Sequence, residues 1–249
     1  MGCSSRHSGN VLFLILIAVA LFAALSYAVT TSTRSSGGSP SKEKARAAAA
    51  TLLQQGTALR SAVMRVKLSN NCTDYTLDFT SNAYVLNNGT AIQPANSAAP
   101  GDKSCHLFDS NGGNMVPVFP PQDALATDDT SFAVATQRKL GSIAVYAGQI
   151  YGVGTDGVGG TESANDIYYQ ILGLNKETCI AVNELVGATN PSGLPGTAAT
   201  SGGASLYSGS LTTTLILNFS PNSGFPAVCI MNTATNPYRY VFFFTLVER

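Results

Sequence analysis

The feature that most constrains this chain is an apolar run near its start. Residues Val11 to Val29, VLFLILIAVALFAALSYAV, carry no charge, glycine or proline. As a helix rising 1.5 Å per residue, such a run covers about 28 Å, close to the ~30 Å hydrocarbon core of a bilayer. A backbone in lipid must close its own hydrogen bonds, so a run that stays there is helical. Tyr27 falls at its far end, where an amphipathic ring prefers the lipid–water boundary. Two readings compete. One is a retained anchor or filament-core helix over 10–29. The other is a cleavable secretory signal, since Ser26-Tyr27-Ala28 resembles a small-x-small cleavage site. The run is longer than a usual signal core, and only Arg6 and His7 precede it as basic groups, which favours retention. A helix apolar on every face rarely fits inside a domain of this size.

The rest of the chain divides around that run. Residues 1–9 read as a leader, and 30–41 (TTSTRSSGGSPS) as a flexible joint. Residues 42–249 are then a head long enough for one good core. Lys plus Arg and Asp plus Glu balance at 14 each, and only 11% of residues are charged. That excludes the basic footprint a nucleic-acid partner requires. Cys72, Cys105, Cys179 and Cys229 follow the apolar run; an anchor would put them on the oxidising side, where disulfides persist. Four cysteines allow three pairings. Proximity favours Cys72 with Cys105 and Cys179 with Cys229, one loop in each half. Cys3 is the odd one, and none has the Cys-x-x-Cys spacing of a redox or zinc site.

Within the head, Lys42 to Leu68 reads as an amphipathic helix capped by Ser41. Its apolar stripe runs through Leu52, Leu59, Val63 and Val66, and should lie on a sheet. Gly56, costly inside a helix, suggests a close approach there. Strands are expected at 75–79, 84–86, 105–108, 115–119, 131–135, 142–153, 211–219 and 227–231. The apolar 238–247 is expected in the middle of the sheet. Asn87-Asn88-Gly89-Thr90 marks a turn. Ala164 to Leu172 and Lys176 to Val186 read as a helix pair around Gly173. Residues 187–205, rich in Gly and Pro, read as a long exposed insertion. The fold class expected is therefore α+β: a transmembrane helix, a joint, and an amphipathic helix packed on an antiparallel, disulfide-bearing head.

Catalytic constellations are sparse. Beyond the apolar run His106 is the single histidine, and no Gly-x-Ser-x-Gly or His-Glu-x-x-His motif occurs. Asp128-Asp129 would point to opposite faces of a strand. The loop Gly152 to Gly160 lacks the Lys-Ser/Thr of a phosphate loop; Asp156, Glu162 and Asp166 are its candidates for an irregular calcium site. Asn71, Asn88 and Asn218 each begin an N-glycosylation acceptor pattern. No cofactor and no enzymatic activity are expected.

A polar leader ending in Gly9, an apolar helix from Asn10, a second amphipathic helix over 42–68 and a β-rich head with disulfides resemble the bacterial type IV pilin and type II secretion pseudopilin family. The resemblance implies cutting after Gly9 by a prepilin peptidase and N-methylation of Asn10. It also implies packing of the apolar helices among copies of this or other pilin-like subunits. The family places Phe or Met after the cut and Glu at the fifth mature position. Here Asn10 and Leu14 stand there, and loss of the Glu is seen in minor, tip-located pseudopilins. The function expected is a non-enzymatic structural subunit of a filament or envelope assembly. It would sit in the bacterial inner membrane with a periplasmic head, or in an extracellular filament, held in lipid by Val11 to Val29. The alternative is a secreted or membrane-anchored binding or adhesion module using the Gly-rich loops 152–161 and 187–205.

Overall fold

Tyr240-Val241-Phe242-Phe243-Phe244 alternates two apolar sets, so a strand built from it must be covered on both faces. In the computed structural model this stretch belongs to the last of the seven strands found among the described residues. The structure describes residues 13, 15–23, 40–126, 137–155, 164–201, 205–233 and 239–249. The strands are β1 (Ile143–Ile150), β2 (Asp166–Leu174), β3 (Ala199–Ser201), β4 (Ser205–Leu206), β5 (Ile216–Asn218), β6 (Ala227–Asn232) and β7 (Arg239–Val247). They form one sheet in the order β3-β5-β1-β2-β7-β6, with β4 paired to β1. β7 is interior, antiparallel to β2 through Phe244–Tyr169 and to β6 through Phe244–Ala227. The sheet is not wholly antiparallel: the end of β1 pairs in parallel with β5 through Gln149–Ile216 and Ile150–Leu217.

The first face carries Tyr169, Ile171, Phe242 and Phe244 in the main core, together with Leu52, Leu59, Val63 and Val66 of a helix. That helix, α1 (Pro40–Ser69), spans 30 residues. It starts at Pro40, so Ser41 lies inside the first turn and is not its cap. Proline suits a first helical position, because its missing N–H has no partner there anyway. The second helix, α2 (Lys176–Val186), is started by Asn175, whose side chain accepts from the Thr178 N–H, and ended by Gly187 in the left-handed region at φ 80°. The second face of the sheet carries Tyr168, Val241, Phe243, Val228 and Ile230, covered by Leu215, Leu217 and Phe219.

Several expectations are corrected. Residues 164–172 do not form a helix; 166–174 are β2, rich in Ile and Tyr, which fit a pleated surface buried on both sides. Gly173, at φ 78°, sits at a register irregularity between Leu172 and Leu174. Residues 75–79, 84–86, 105–108 and 115–119 form no named strand. The first three make only isolated bridges such as Asp78–His106 and Leu86–Arg138, and Met115 is held by its N–H donating to the Leu107 carbonyl at 2.9 Å. Of 211–219, only 216–218 pair as a strand. The region 187–205 is not a free insertion, since β3 lies within it and Ala188 is buried. The strand expected at 131–135 and the acidic pair Asp128-Asp129 lie outside the described residues.

The membrane reading is corrected too. Among the described residues no helix is long and apolar enough to cross a membrane. The transmembrane element of the expected fold, the membrane-anchored pilin-like subunit and the inner-membrane or filament localisation fail on that finding. Apart from 13 and 15–23, residues 10–29, the leader with Gly9 and Asn10, and 30–39 of the joint lie outside the described residues. The chain divides into two compact units, 1–40 and 41–249.

Candidate ligand-binding cleft

The outer edge of β6 shows how the sheet is closed. Its edge-facing backbone groups belong to Cys229 and Met231. Asn183 of α2 takes the first: its Oδ1 accepts from the Cys229 N–H at 2.8 Å and its Nδ2 donates to the Cys229 carbonyl at 2.9 Å. The Cys179–Cys229 disulfide holds the same residue to the same helix. The Met231 N–H donates to the Gly196 carbonyl at 2.8 Å, just before β3. Because β3 pairs with β5 and β5 with β1, this bond brings the two ends of the sheet together. The sheet curls over its own second face, and the unpaired edge that invites aggregation is covered.

The curl leaves a cleft of about 360 Å³. Leu172, Val241, Phe243 and Ile230 line it from the sheet, Leu217 from β5 and Leu215 from the residue just before β5. Gln170 is a polar group at the β2 side, and Asn232 and Thr233 are polar groups at the β6 side. An apolar bed with a few polar groups, at the mouth of a curled sheet, is the usual design of a small-molecule site. The described lining contains no acid, base, serine or cysteine. The arrangement can bind and orient an apolar molecule.

The residues singled out from the sequence lie elsewhere. Asp156 and Glu162 are outside the described residues. Asp166 is fully buried, and its two oxygens accept from the Ile150 N–H at 3.1 Å and the Arg249 N–H at 3.0 Å. It therefore pins the last residue of the described head to β1. Among the described residues, no group of three or more His, Cys, Asp or Glu could hold a metal ion. His106 has its Nδ1 3.7 Å from Asp78 Oδ1, too far for a hydrogen bond. The Asp78 carboxylate instead accepts from the Thr80 and Asn96 N–H groups, each at 2.7 Å. It organises the loops beside the Cys72–Cys105 disulfide.

The lining of the cleft was missed for two reasons. Gln170 and Leu172 fell in a stretch read as helix. Leu215 and Leu217 become a wall only through the parallel pairing with β1, which no local pattern announces. Alternation in 238–247 was the one available signal that two faces had to be covered.

No family model, no curated protein and no solved structure matches the chain.

Proposed function

We propose that residues 41–249 are a non-enzymatic binding module that takes a small apolar molecule into the sheet cleft. The observation that carries this reading is the cleft itself: about 360 Å³, half-open beneath the curl, apolar along its bed and polar at its sides. That volume lies within the ~300–1,000 Å³ range of small-molecule sites. The two disulfides suit an oxidising compartment, in which such a module would meet its ligand. A kinship with pilin-type heads is proposed on architecture alone, a long helix laid on a cystine-braced sheet. Mass spectrometry of the mature N-terminus tests that kinship, which expects a methylated Asn10.

The binding reading is tested with a neutral fluorescent probe, N-phenyl-1-naphthylamine, titrated into the full-length protein. Saturable binding is expected, and Ala198→Trp, which fills the cleft from its wall, is expected to abolish it. Absence of saturable binding, or binding unchanged in Ala198→Trp with the fold intact by circular dichroism, overturns the reading.

A further inference from the structure

A second concavity, of about 500 Å³, lies among the loops that carry no named strand. Asn82, Lys103, His106 and Asp109 line it with polar groups, and Ala95, Phe108 and Pro117 with apolar ones. Its walls come from four stretches of chain, each fixed by bonds outside the sheet. The buried Asp78 carboxylate accepts from the Thr80 N–H, at the start of 80–83, and from the Asn96 N–H, next to Ala95. The Asp78 carbonyl accepts from the Leu107 N–H at 2.9 Å, and the Cys72–Cys105 disulfide holds the same stretch. The Tyr84 hydroxyl donates to the Val118 carbonyl and accepts from the Val118 N–H, both at 3.0 Å, which fixes the chain just after Pro117. Loops held in this way need little further ordering when a ligand arrives.

The lining selects the chemistry of that ligand. Lys103 Nζ lies 3.1 Å from Asp109 Oδ2, so the two charges cancel. The Asn111 N–H and Lys103 hold the Asp109 carboxyl below the usual carboxylate range, which keeps it an acceptor at neutral pH. An anion would meet that carboxylate and find Lys103 already paired. An apolar molecule would strip water from these polar groups and return no hydrogen bond. A neutral molecule dense in hydroxyls suits them, because each hydroxyl both donates and accepts. It meets an acceptor in Asp109, a donor in Lys103 and both in the exposed Asn82 amide. Phe108 adds an aromatic ring, whose electronegative face attracts the C–H groups of a sugar ring.

We propose that this concavity binds a neutral saccharide, with its ring against Phe108 and its hydroxyls shared among Asn82, Lys103 and Asp109. The site shares no lining residue with the sheet cleft and is independent of it.

The test is an amide NMR titration of the full-length protein with the methyl glycosides of glucose, galactose, mannose and N-acetylglucosamine, and separately with inorganic phosphate. At least one glycoside is expected to give saturable shifts centred on 80–83 and 103–109. Ala95→Trp, at an exposed position on the wall, fills the space and is expected to abolish them. Asp109→Asn keeps an acceptor for the Asn111 N–H but loses the charge, and is expected to weaken binding at least tenfold. Should Asp109→Asn disturb its loop, Asn82→Ala is expected to weaken binding in its place. No saturable response to any of the four glycosides overturns the proposal, as does a response unchanged in Ala95→Trp. A response to phosphate alone overturns it in favour of an anion site. None of these outcomes alters the result with the apolar probe in the sheet cleft.

Discussion

Gly56 of α1 lies directly against the ring of Phe244 in β7. A methyl group built at position 56 would overlap that ring. Phe244 is itself packed at 5.7 Å between ring centroids on Tyr169, its neighbour across the β2–β7 pair. The helix reaches the sheet this closely because its side chain is missing at the point of contact. The helical cost of glycine, about 1 kcal/mol against alanine, is offset by the packing it permits.

Gly56→Ala is therefore expected to destabilise the protein although alanine is the better helix former. Overpacking costs about 1–3 kcal/mol and exceeds the roughly 1 kcal/mol propensity gain. Phe244→Leu in the same background should recover part of the loss. Urea midpoints of the four proteins in this cycle measure it, and a raised midpoint for Gly56→Ala alone would show that the contact is loose.

Asn183 imitates a neighbouring strand for β6, since its amide satisfies both the N–H and the carbonyl of Cys229. Asn183→Ala leaves two buried backbone groups unpaired, at about 1–3 kcal/mol each. Asn183→Asp keeps the acceptor for the N–H but sets a carboxylate against the carbonyl, so it should not rescue. Amide exchange at Cys229, compared between the variants, is the direct readout.

Tyr84 gives an alkaline signature. Burial pushes its phenol up to about 12, against the hydrogen bonds that partly favour ionisation. Burial also raises Tyr168, Tyr169 and Tyr207. An unfolded phenol titrates near ~10. A folded value above it means stability is fully present below about pH 10 and is lost as pH rises through about 12. Phenolate absorbance and circular dichroism should therefore change together above pH ~10. Tyr84→Phe should move the alkaline midpoint upward. At neutral pH it should cost about 1 kcal/mol, because the Val118 N–H loses its acceptor.

The disulfides close loops of 33 and 50 residues. Chain entropy then makes the loss of either worth on the order of 4 kcal/mol. The consequences should differ in place. Cys72→Ser with Cys105→Ser should speed amide exchange in 70–125, which carries no named strand. Cys179→Ser with Cys229→Ser should loosen β6 and the bond from Met231 to Gly196. Hydrogen exchange by mass spectrometry separates the two patterns, and identical patterns would contradict this division.

Legibility followed the range of the forces involved. The stripe through Leu52, Leu59, Val63 and Val66 gave α1 because helical spacing is a local property. Residues 176–186 were legible as a helix between Asn175 and Gly187 for the same reason. The stretch 166–174 was not, because its strand character depends on pairing with β1 and β7. Short apolar pieces such as 75–79 and 105–108 looked like strands, yet found only single bridges beside a disulfide.

By itself, the amino-acid sequence determined the amphipathic helix, the two-faced last strand and a sparsely charged surface, all set by side chains within a few residues of one another. Only the tertiary structure decided that β5 joins β1 in parallel and that Gly196 meets Met231. It also decided that the second face is roofed into a cleft. Those outcomes depend on pairing between distant backbone groups, whose partners are chosen by the burial of whole faces and leave no mark on any single stretch of the chain.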